Sequence, residues 1–501
     1  MATEQLHSRS AADTEALARE LSLWARPGMA ILLEGDLGAG KSTFARAFIR
    51  ALAANDALDV PSPTFTLVLG YDETRIPTFH ADLYRLERSA DIAELGLAEL
   101  LQSSVGLIEW AERLPGPLCP DVLHVTISGT GEERRITLVA QGLWQPALLR
   151  NQVINGFVDG GGIRYFLEGD ASARRYEWIA TADDSRPLIM DMPSRPDGPA
   201  VKDGKSYSAI AHLAEGLRSV IAINTQLQSF GYSAPRILKY DLGQGLALIE
   251  NLGDKVFGKM LLAGEDMSGP MLAAAALLAD MATKSWPETI ESPELGRFTL
   301  PPYDEQAQLI EVDLLPSWYW PYKHDRLPPQ SAVRDFVAAW RKILPLAVAP
   351  QPQWVMRDFH SPNLIWLPQR DGVKRVGLID TQDAVRGHAA YDLVSLIQDA
   401  RVDIPHDLAA QTLAHYLALR RPDPGFSESG FLAAYAVLGA QRSTKILGIF
   451  ARLSKRDGKH GYLRHMPRVA RNLAQNLEHP ALAELKNWYV THLPDILELK
   501  S

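Results

Sequence analysis

Residues 35–42 read Gly35-Asp36-Leu37-Gly38-Ala39-Gly40-Lys41-Ser42. A glycine, four residues, a second glycine, then lysine and a hydroxyl residue form a pattern that constrains everything around it. Such a turn needs a strand to hold it and a helix whose N-terminus it opens. The sequence offers both. Met29 to Leu33 is a short apolar run that reads as a buried strand, and from Ser42 to Leu52 apolar residues recur at helical spacing (Phe44, Ala47, Phe48, Ala51). The N–H groups of the turn, with the positive end of the helix dipole, suit the phosphates of ATP. Gly35 to Ser42 is therefore assigned to nucleotide binding. Lys41 is expected on the β- and γ-phosphates, and Ser42 supplies a hydroxyl to Mg2+.

The neighbouring segments fit an α/β domain around that turn. Ser10-Ala11-Ala12-Asp13 resembles a capping box with Asp in place of Glu, and Leu17, Leu21 and Trp24 form one helical stripe that Pro27-Gly28 ends. Pro61-Ser62-Pro63-Thr64-Phe65-Thr66 is an extended loop, because each proline excludes helix from the residue before it. Its hydroxyls can face a γ-phosphate as a switch segment does, or lie in a plain surface turn. Phe79 to Arg85 mixes acidic and basic groups after an apolar lead-in, and Val105 to Trp110 reads as a strand ending in a carboxylate and an indole. Carboxylates at strand ends near a phosphate turn hold Mg2+ or an attacking water. Leu123 to Ile127 and Arg135 to Val139 look like a closing hairpin.

GDLGAGKS at 35–42, SPTF at 62–65, ADLYR at 81–85 and IEW at 108–110 occur in an order and spacing that resembles the TsaE (YjeE) family. That family is the ATPase subunit of the bacterial tRNA threonylcarbamoyladenosine machinery, and the likeness covers about residues 10 to 140. It implies a small P-loop ATPase that works with a TsaB–TsaD complex and meets tRNA only indirectly. It also implies that Thr64 lies in the switch loop, that Asp82 and Glu109 share the metal and water handling in an order left open, and that Trp110 lies beside the nucleotide.

At 501 residues the chain exceeds one ordinary core, so a second domain is expected. The reading places an α/β P-loop domain at 1–145 and an α+β, protein-kinase-like domain at 146–501, with Gln141 to Pro146 as linker and Ala147 to Phe157 as a helix. A net charge of −9 argues against broad electrostatic attraction to nucleic acid. The single cysteine, Cys119, excludes an intrachain disulfide framework and suits a reducing cytoplasm. No apolar run reaches membrane-spanning length, and charged residues from Glu4 to Glu20 leave no room for a signal-peptide core.

The chemical centre of the second part is Arg357-Asp358-Phe359-His360-Ser361-Pro362-Asn363, followed by Val376-Gly377-Leu378-Ile379-Asp380. An Asp that orients an acceptor hydroxyl, with an Asn and a second Asp that hold Mg2+ on the phosphates, is the constellation phosphoryl transfer needs. Those positions are Asp358, Asn363 and Asp380. His360 can touch phosphate or pack. Asp392 reads as a buried structural carboxylate on a helix, with Arg386 as its partner.

This pattern resembles the aminoglycoside-phosphotransferase-like kinases, although Met356 stands where their signature has His. The closer likeness is to the AmgK type, anomeric kinases of N-acetylmuramate and N-acetylglucosamine, over about 147 to 490. It is carried by Gly169 to Tyr176, Ile189 to Pro193, Arg357 to Leu364 and Ile379 to Ala384, and continued by Tyr391-Asp392-Leu393 and Gln398 to Arg401. The resemblance implies a nucleotide turn at Asp170 to Arg175, with Ser172 and either Arg174 or Arg175 on the phosphates, and an adenine-side hinge at Glu250. It also implies an acceptor pocket near Glu311, Asp313 and Trp318, in a stretch that reads equally as an amphipathic helix. No lysine occupies Leu188 to Met190, where a kinase strand carries its phosphate clamp, so an arginine replaces it, the clamp is weak, or the domain is a pseudokinase.

A basic run from Lys445 to Arg471 is a solvated helical face or, in the sharper reading, a binding surface for tRNA or an acidic substrate. The combined expectation is a fusion of an ATPase that supports tRNA threonylcarbamoyladenosine modification and a phosphotransferase acting on an amino-sugar hydroxyl. The alternative is a nucleotide-switched assembly module joined to a kinase for an aminoglycoside, a choline-like alcohol or homoserine.

Overall fold

The computed structural model describes residues 2–498 except 130, 160–161, 168–173, 195, 215 and 350. The chain divides into two compact units. One runs to Met192 and takes in Leu246–Leu248; the other comprises Pro193–Gly245 and the chain from Ile249 onward.

The first unit is built on a seven-stranded sheet: β1 (Ala2–Ser8), β2 (Ala30–Glu34), β3 (Val68–Tyr71), β4 (Thr78–Asp82), β5 (Val105–Glu109), β6 (Val122–Ser128) and β7 (Arg134–Ala140). Their order across the sheet is β1-β7-β6-β2-β5-β4-β3. β2 runs parallel to β5 and β6, and β4 parallel to β5; β6–β7, β1–β7 and β3–β4 are antiparallel. The central strand β2 is buried on both faces, which is why its sequence is continuously apolar and not alternating. β1 was not anticipated. Its residues alternate half-buried and exposed, as an edge strand's do, and its existence depends on the distant partner β7.

Two helices frame the phosphate turn. α1 (Ala11–Ser22) is capped by Ser10, whose hydroxyl accepts the Asp13 N–H at 3.2 Å. α2 (Lys41–Ala53) packs Phe44, Phe48, Ile49 and Leu52 into the core and has no acidic residue in its first turn.

The helix Trp144–Val158 follows β7, and the antiparallel strands β8 (Arg164–Leu167), β9 (Arg175–Ile179) and β10 (Leu188–Asp191) follow it, in a sheet that continues from β10 to the strand beginning at Leu246. Ile154, Ile179, Ile189 and Leu246 close a small core there. A polar seam joins these strands to α1. Arg164, 1% exposed, donates to Glu177 Oε2 at 2.9 Å and to Asn151, and lies 3.5 Å from Glu20. Asn151 also accepts the Trp24 indole N–H at 3.0 Å, and the Arg175 guanidinium covers the Trp24 ring at 3.4 Å. This seam lies within the first compact unit, which runs to Met192, although the sequence reading places a linker at Gln141 to Pro146.

The second unit is mainly helical. Its small sheets are antiparallel pairs, Gln353–Val355 with Val385–Gly387 and Leu364–Trp366 with Val376–Leu378. The longest helix, Glu428–Asp457, is buried along much of its length. The basic run is largely neutralised: Lys455 pairs with Asp325, Arg456 with Asp457, and Arg468 and Arg471 with Asp403. Among the described residues no helix is long and apolar enough to cross a membrane.

Candidate functional site

In the first unit the turn leaves β2 at Gly35 with φ +139°. A β-carbon there would sit 2.2 Å from the Ile127 carbonyl oxygen, so only glycine lets the turn fold against β6. Gly40, at φ +111°, caps α2 without a side chain, and the first N–H groups of the helix are free of any side-chain cap. Lys41 is buried, and its ammonium donates to the carbonyls of Gly35 at 2.6 Å and Asp36 at 2.9 Å while lying 3.7 Å from the centre of the Trp110 ring. Burial pushes its pKa down, against the opposing pull of Glu109, Glu112 and Asp82. Trp110 reaches that position through a left-handed backbone (φ +58°), and its ring packs on Tyr84 at 4.9 Å.

Glu109 and Asp82 end adjacent parallel strands in register, yet they serve different neighbours. Glu109 Oε2 accepts the Ser42 hydroxyl at 3.0 Å, and its Oε1 lies 2.9 Å from His80 Nε2. Asp82 Oδ2 accepts the Thr64 hydroxyl at 3.1 Å, and Oδ1 accepts the Tyr84 N–H at 2.9 Å. Glu109 is thus tied to the phosphate-turn serine, and Asp82 to the proline-rich loop. Two participants carried no motif signal. His80 belongs to a segment noted only for its mixed charges. Arg134 comes from the β6–β7 hairpin, where its guanidinium donates to the carbonyls of Ala39 at 2.8 Å and Gly38 at 3.4 Å, bracing the turn.

The second unit carries the other cluster. Asn363 precedes one strand of a hairpin and Asp380 follows the other, so the antiparallel pairing brings them together. Asn363 Nδ2 lies 3.5 Å from Asp380 Oδ2 and donates to the Asp358 carbonyl at 3.1 Å. Arg357 and Asp380 both have left-handed backbones (φ +66° and +63°), a strained state that clusters where side chains must be aimed. Asp358 is half-buried. Desolvation opposes its charge, but His360, Lys445 and Arg357 outweigh it and hold the carboxyl below the ordinary range. His360 is buried 4.0 Å from Asp399, a residue that ties the loop by accepting the Ser361 N–H at 2.8 Å and hydroxyl at 2.6 Å.

Asp392 is the buried structural carboxylate the sequence suggests, but Arg386 is not its partner. Arg386 pairs with Glu288 at 2.8 Å. Asp392 instead accepts the backbone N–H groups of Met356 at 2.7 Å and Arg357 at 3.0 Å, and burial pushes its pKa up to about 7. An interaction with backbone has no sequence signature, whereas an Arg–Asp pair is visible by charge.

Glu311, read as an acceptor-pocket residue, is 1% exposed, and protein donors occupy both of its oxygens. Arg357 and Lys445 (3.3 Å) reach Oε1; Tyr303 and Gln441 (2.9 Å) reach Oε2. Its carboxylate therefore belongs to the interior beneath the loop. Asp313 is half-buried and accepts the Ser317 hydroxyl at 3.1 Å, and Trp318 follows in a π-helical turn, Leu315–Tyr319. Glu250 is bonded by Arg236 at 3.1 Å and Arg370 at 3.2 Å. In the first unit Arg175 is turned onto Trp24 and paired with Glu177 at 2.6 Å, Arg174 precedes β9 half-exposed, and Ser172 lies outside the described residues. The donor sets at Ser42–Glu109 and Asn363–Asp380 are hard oxygen groups with one carboxylate each, which fits Mg2+ completed by phosphate and water.

A family model described as "Threonylcarbamoyl adenosine biosynthesis protein TsaE" matches residues 8–137, and one described as "Phosphotransferase enzyme family" matches residues 166–428. The chain is 38% identical over 350 residues to an N-acetylmuramate/N-acetylglucosamine kinase of Caulobacter vibrioides, covering 68% of this chain and 94% of that protein. It is 31% identical over 330 residues to the Pseudomonas aeruginosa kinase of the same name, covering 63% and 84%. It is 38% identical over 132 residues to the tRNA threonylcarbamoyladenosine biosynthesis protein TsaE of Bacillus subtilis, covering 26% and 81%. The chain therefore belongs to the TsaE family through its N-terminal part and to the phosphotransferase enzyme family through its C-terminal part.

Proposed function

We propose that the protein is bifunctional, with the division near residues 145/146. The N-terminal part hydrolyses ATP to drive a TsaB–TsaD-like complex in tRNA threonylcarbamoyladenosine modification. The C-terminal part transfers the γ-phosphate of ATP to the anomeric hydroxyl of N-acetylmuramate or N-acetylglucosamine, a step of cell-wall recycling in the cytoplasm. The observation that carries the second assignment is the Asp358–Asn363–Asp380 cluster inside a match that spans nearly all of a curated amino-sugar kinase.

The chemistry follows from the groups present. In the C-terminal part Asp358 accepts the proton of the acceptor hydroxyl as the hydroxyl oxygen attacks the γ-phosphorus, and the bond from that phosphorus to the β,γ-bridging oxygen breaks to release ADP. Asn363 and Asp380 would hold Mg2+, which when bound neutralises charge on the phosphates. Arg174 and Arg175 are the candidates for a phosphate contact, Arg175 being held by Glu177 and Trp24. In the N-terminal part the turn's N–H groups and Lys41 bind phosphate, Ser42 and Glu109 would hold Mg2+, and Asp82 secures the Thr64 loop. The fit of the carboxylates supports hydrolysis at this site in addition to binding.

The test is a labelled-ATP kinase screen over N-acetylmuramate, N-acetylglucosamine, aminoglycosides, choline and homoserine, with Asp358→Ala as control. Phosphorylated amino sugar made only by the wild type is expected. A wild type that binds nucleotide but phosphorylates neither amino sugar defeats the acceptor assignment. For the N-terminal part, Glu109→Ala should retain TsaB–TsaD binding and lose tRNA modification. Retained modification would refute a hydrolytic role.

A further inference from the structure

We propose that His80 is the positioning residue for Glu109, the group that aims this carboxylate at the phosphate turn. The inference rests on the ATPase reading of the N-terminal site and adds to it a residue that no motif marks.

Three observations converge. First, His80 and Asp82 lie two apart on β4, so their side chains project from the same face, and the register sets Asp82 beside Glu109 on β5. Second, His80 is 1% exposed and Glu109 3%, with 2.9 Å between Nε2 and Oε1. Third, His80 Nδ1 is buried and has no hydrogen-bond partner among the described residues. The ring is therefore committed to one contact: Nε2–H donates to Glu109, and nothing on the other side competes for it.

The consequence for Glu109 is geometric. A buried carboxylate must have both oxygens satisfied. His80 takes Oε1, which leaves Oε2 for the Ser42 hydroxyl at 3.0 Å. Without His80, Oε1 has no donor, and the carboxylate gains by rotating toward the Lys41 ammonium or by sharing the Ser42 hydroxyl proton between its two oxygens. Either movement takes Oε2 off its line to the metal and water position. His80 thus acts on Glu109 as the outer carboxylate of a metal site acts on a ligating histidine, by fixing rotamer and direction.

The test uses the full chain carrying Asp358→Ala, so that only N-terminal hydrolysis is read, with or without the TsaB–TsaD pair. His80→Leu keeps volume and removes the donor. His80→Gln places an amide N–H near the Nε2 position, and His80→Asn places one near Nδ1, away from Glu109. His80→Leu should lower kcat about 10–100-fold with KM for ATP little changed, His80→Gln should recover most of the loss, and His80→Asn should not. Wild-type kcat in His80→Leu overturns the proposal, and so does equal loss in the Gln and Asn variants. If His80→Leu fails to fold, the Gln-against-Asn comparison decides alone. Glu109→Ala in the same background separates this inference from the ATPase reading. An active Glu109→Ala sinks the reading itself. An inactive Glu109→Ala beside an unaffected His80→Leu sinks only the role of His80.

Discussion

Replacing Glu311 by glutamine separates two roles that the sequence leaves indistinguishable. A residue of the acceptor pocket would raise KM for the sugar and leave the fold alone. The structure gives another expectation. Glu311 is the counter-charge for Arg357, 3% exposed, and for Lys445 at 3.3 Å. Burial works against its ionisation, but Lys445 and Arg357 outweigh that and bring its pKa from 4.5 to about 2. At 1.36 kcal/mol per unit, that displacement is worth about 3 kcal/mol of stability at neutral pH. Removing one partner of a buried ion pair costs a similar ~3–5 kcal/mol, because the surviving cations are left uncompensated. A depressed carboxyl pKa contributes stability above the unfolded value, and the contribution is lost as pH falls through the folded value. The gap between wild type and Glu311→Gln in urea unfolding should therefore be full at pH 7 and close between about pH 4.5 and about pH 2. Kinase kcat should fall with stability, since Arg357 adjoins Asp358. An unchanged urea midpoint at pH 7, with KM for the amino sugar raised several-fold, would refute the reasoning and return Glu311 to the acceptor pocket.

Three further outcomes follow from the same geometry. Lys41→Ala should abolish N-terminal ATP hydrolysis and leave sugar phosphorylation unchanged, while Asp380→Asn does the reverse; acceptor-dependent and acceptor-independent ADP release, measured on one preparation, checks both. Arg164→Met removes the donor to Glu177 Oε2 in the seam against α1, while Arg175 stays on Oε1 and Trp24 on Asn151, and should cost ~1–3 kcal/mol, read as a lowered thermal transition of the first unit; a loss under about 1 kcal/mol, the range of an exposed pair, would show the seam to be solvated. Asp392→Ala leaves the N–H groups of Met356 and Arg357 without acceptors and should cost ~2–6 kcal/mol, at about 1–3 for each buried orphan; kinase activity with unaltered kcat would show that those bonds do not hold the loop.

What was legible in the sequence shares a physical character. The phosphate turn is read from glycines because the turn's own backbone requires them: Gly35, Gly38 and Gly40 all take positive φ angles, and Gly40 forms a left-handed cap. β2 is read from continuous apolarity because burial on both faces writes itself into every residue. Asp358, Asn363 and Asp380 are read from spacing because a short hairpin fixes the distance between its own ends. In each case the signal is carried by one continuous stretch of sequence.

The rest was hidden because its cause is distant. β1 is a strand only because β7 lies beside it, 130 residues on. Arg134 supports the turn from a hairpin tip, and Lys445 neutralises Glu311 from a helix far along the chain. The charges of such residues look like solvated surface until the fold buries them. The domain boundary shows the same effect. The likeness to one family ends near residue 140, but such an end marks only where a sequence pattern stops. It is silent on which surfaces were later fitted together. Arg164, Arg175 and Glu177 form with Trp24, Glu20 and Asn151 a seam of charges and an indole that ties β8 and β9 to the segment around α1. Buried polar contacts of that kind demand matched partners, because an unmatched one costs more than it contributes. A flexible linker between independent modules imposes no such demand. The seam therefore ties the strands Arg164–Asp191 to α1, so that movement of α1 would be felt in β8 and β9.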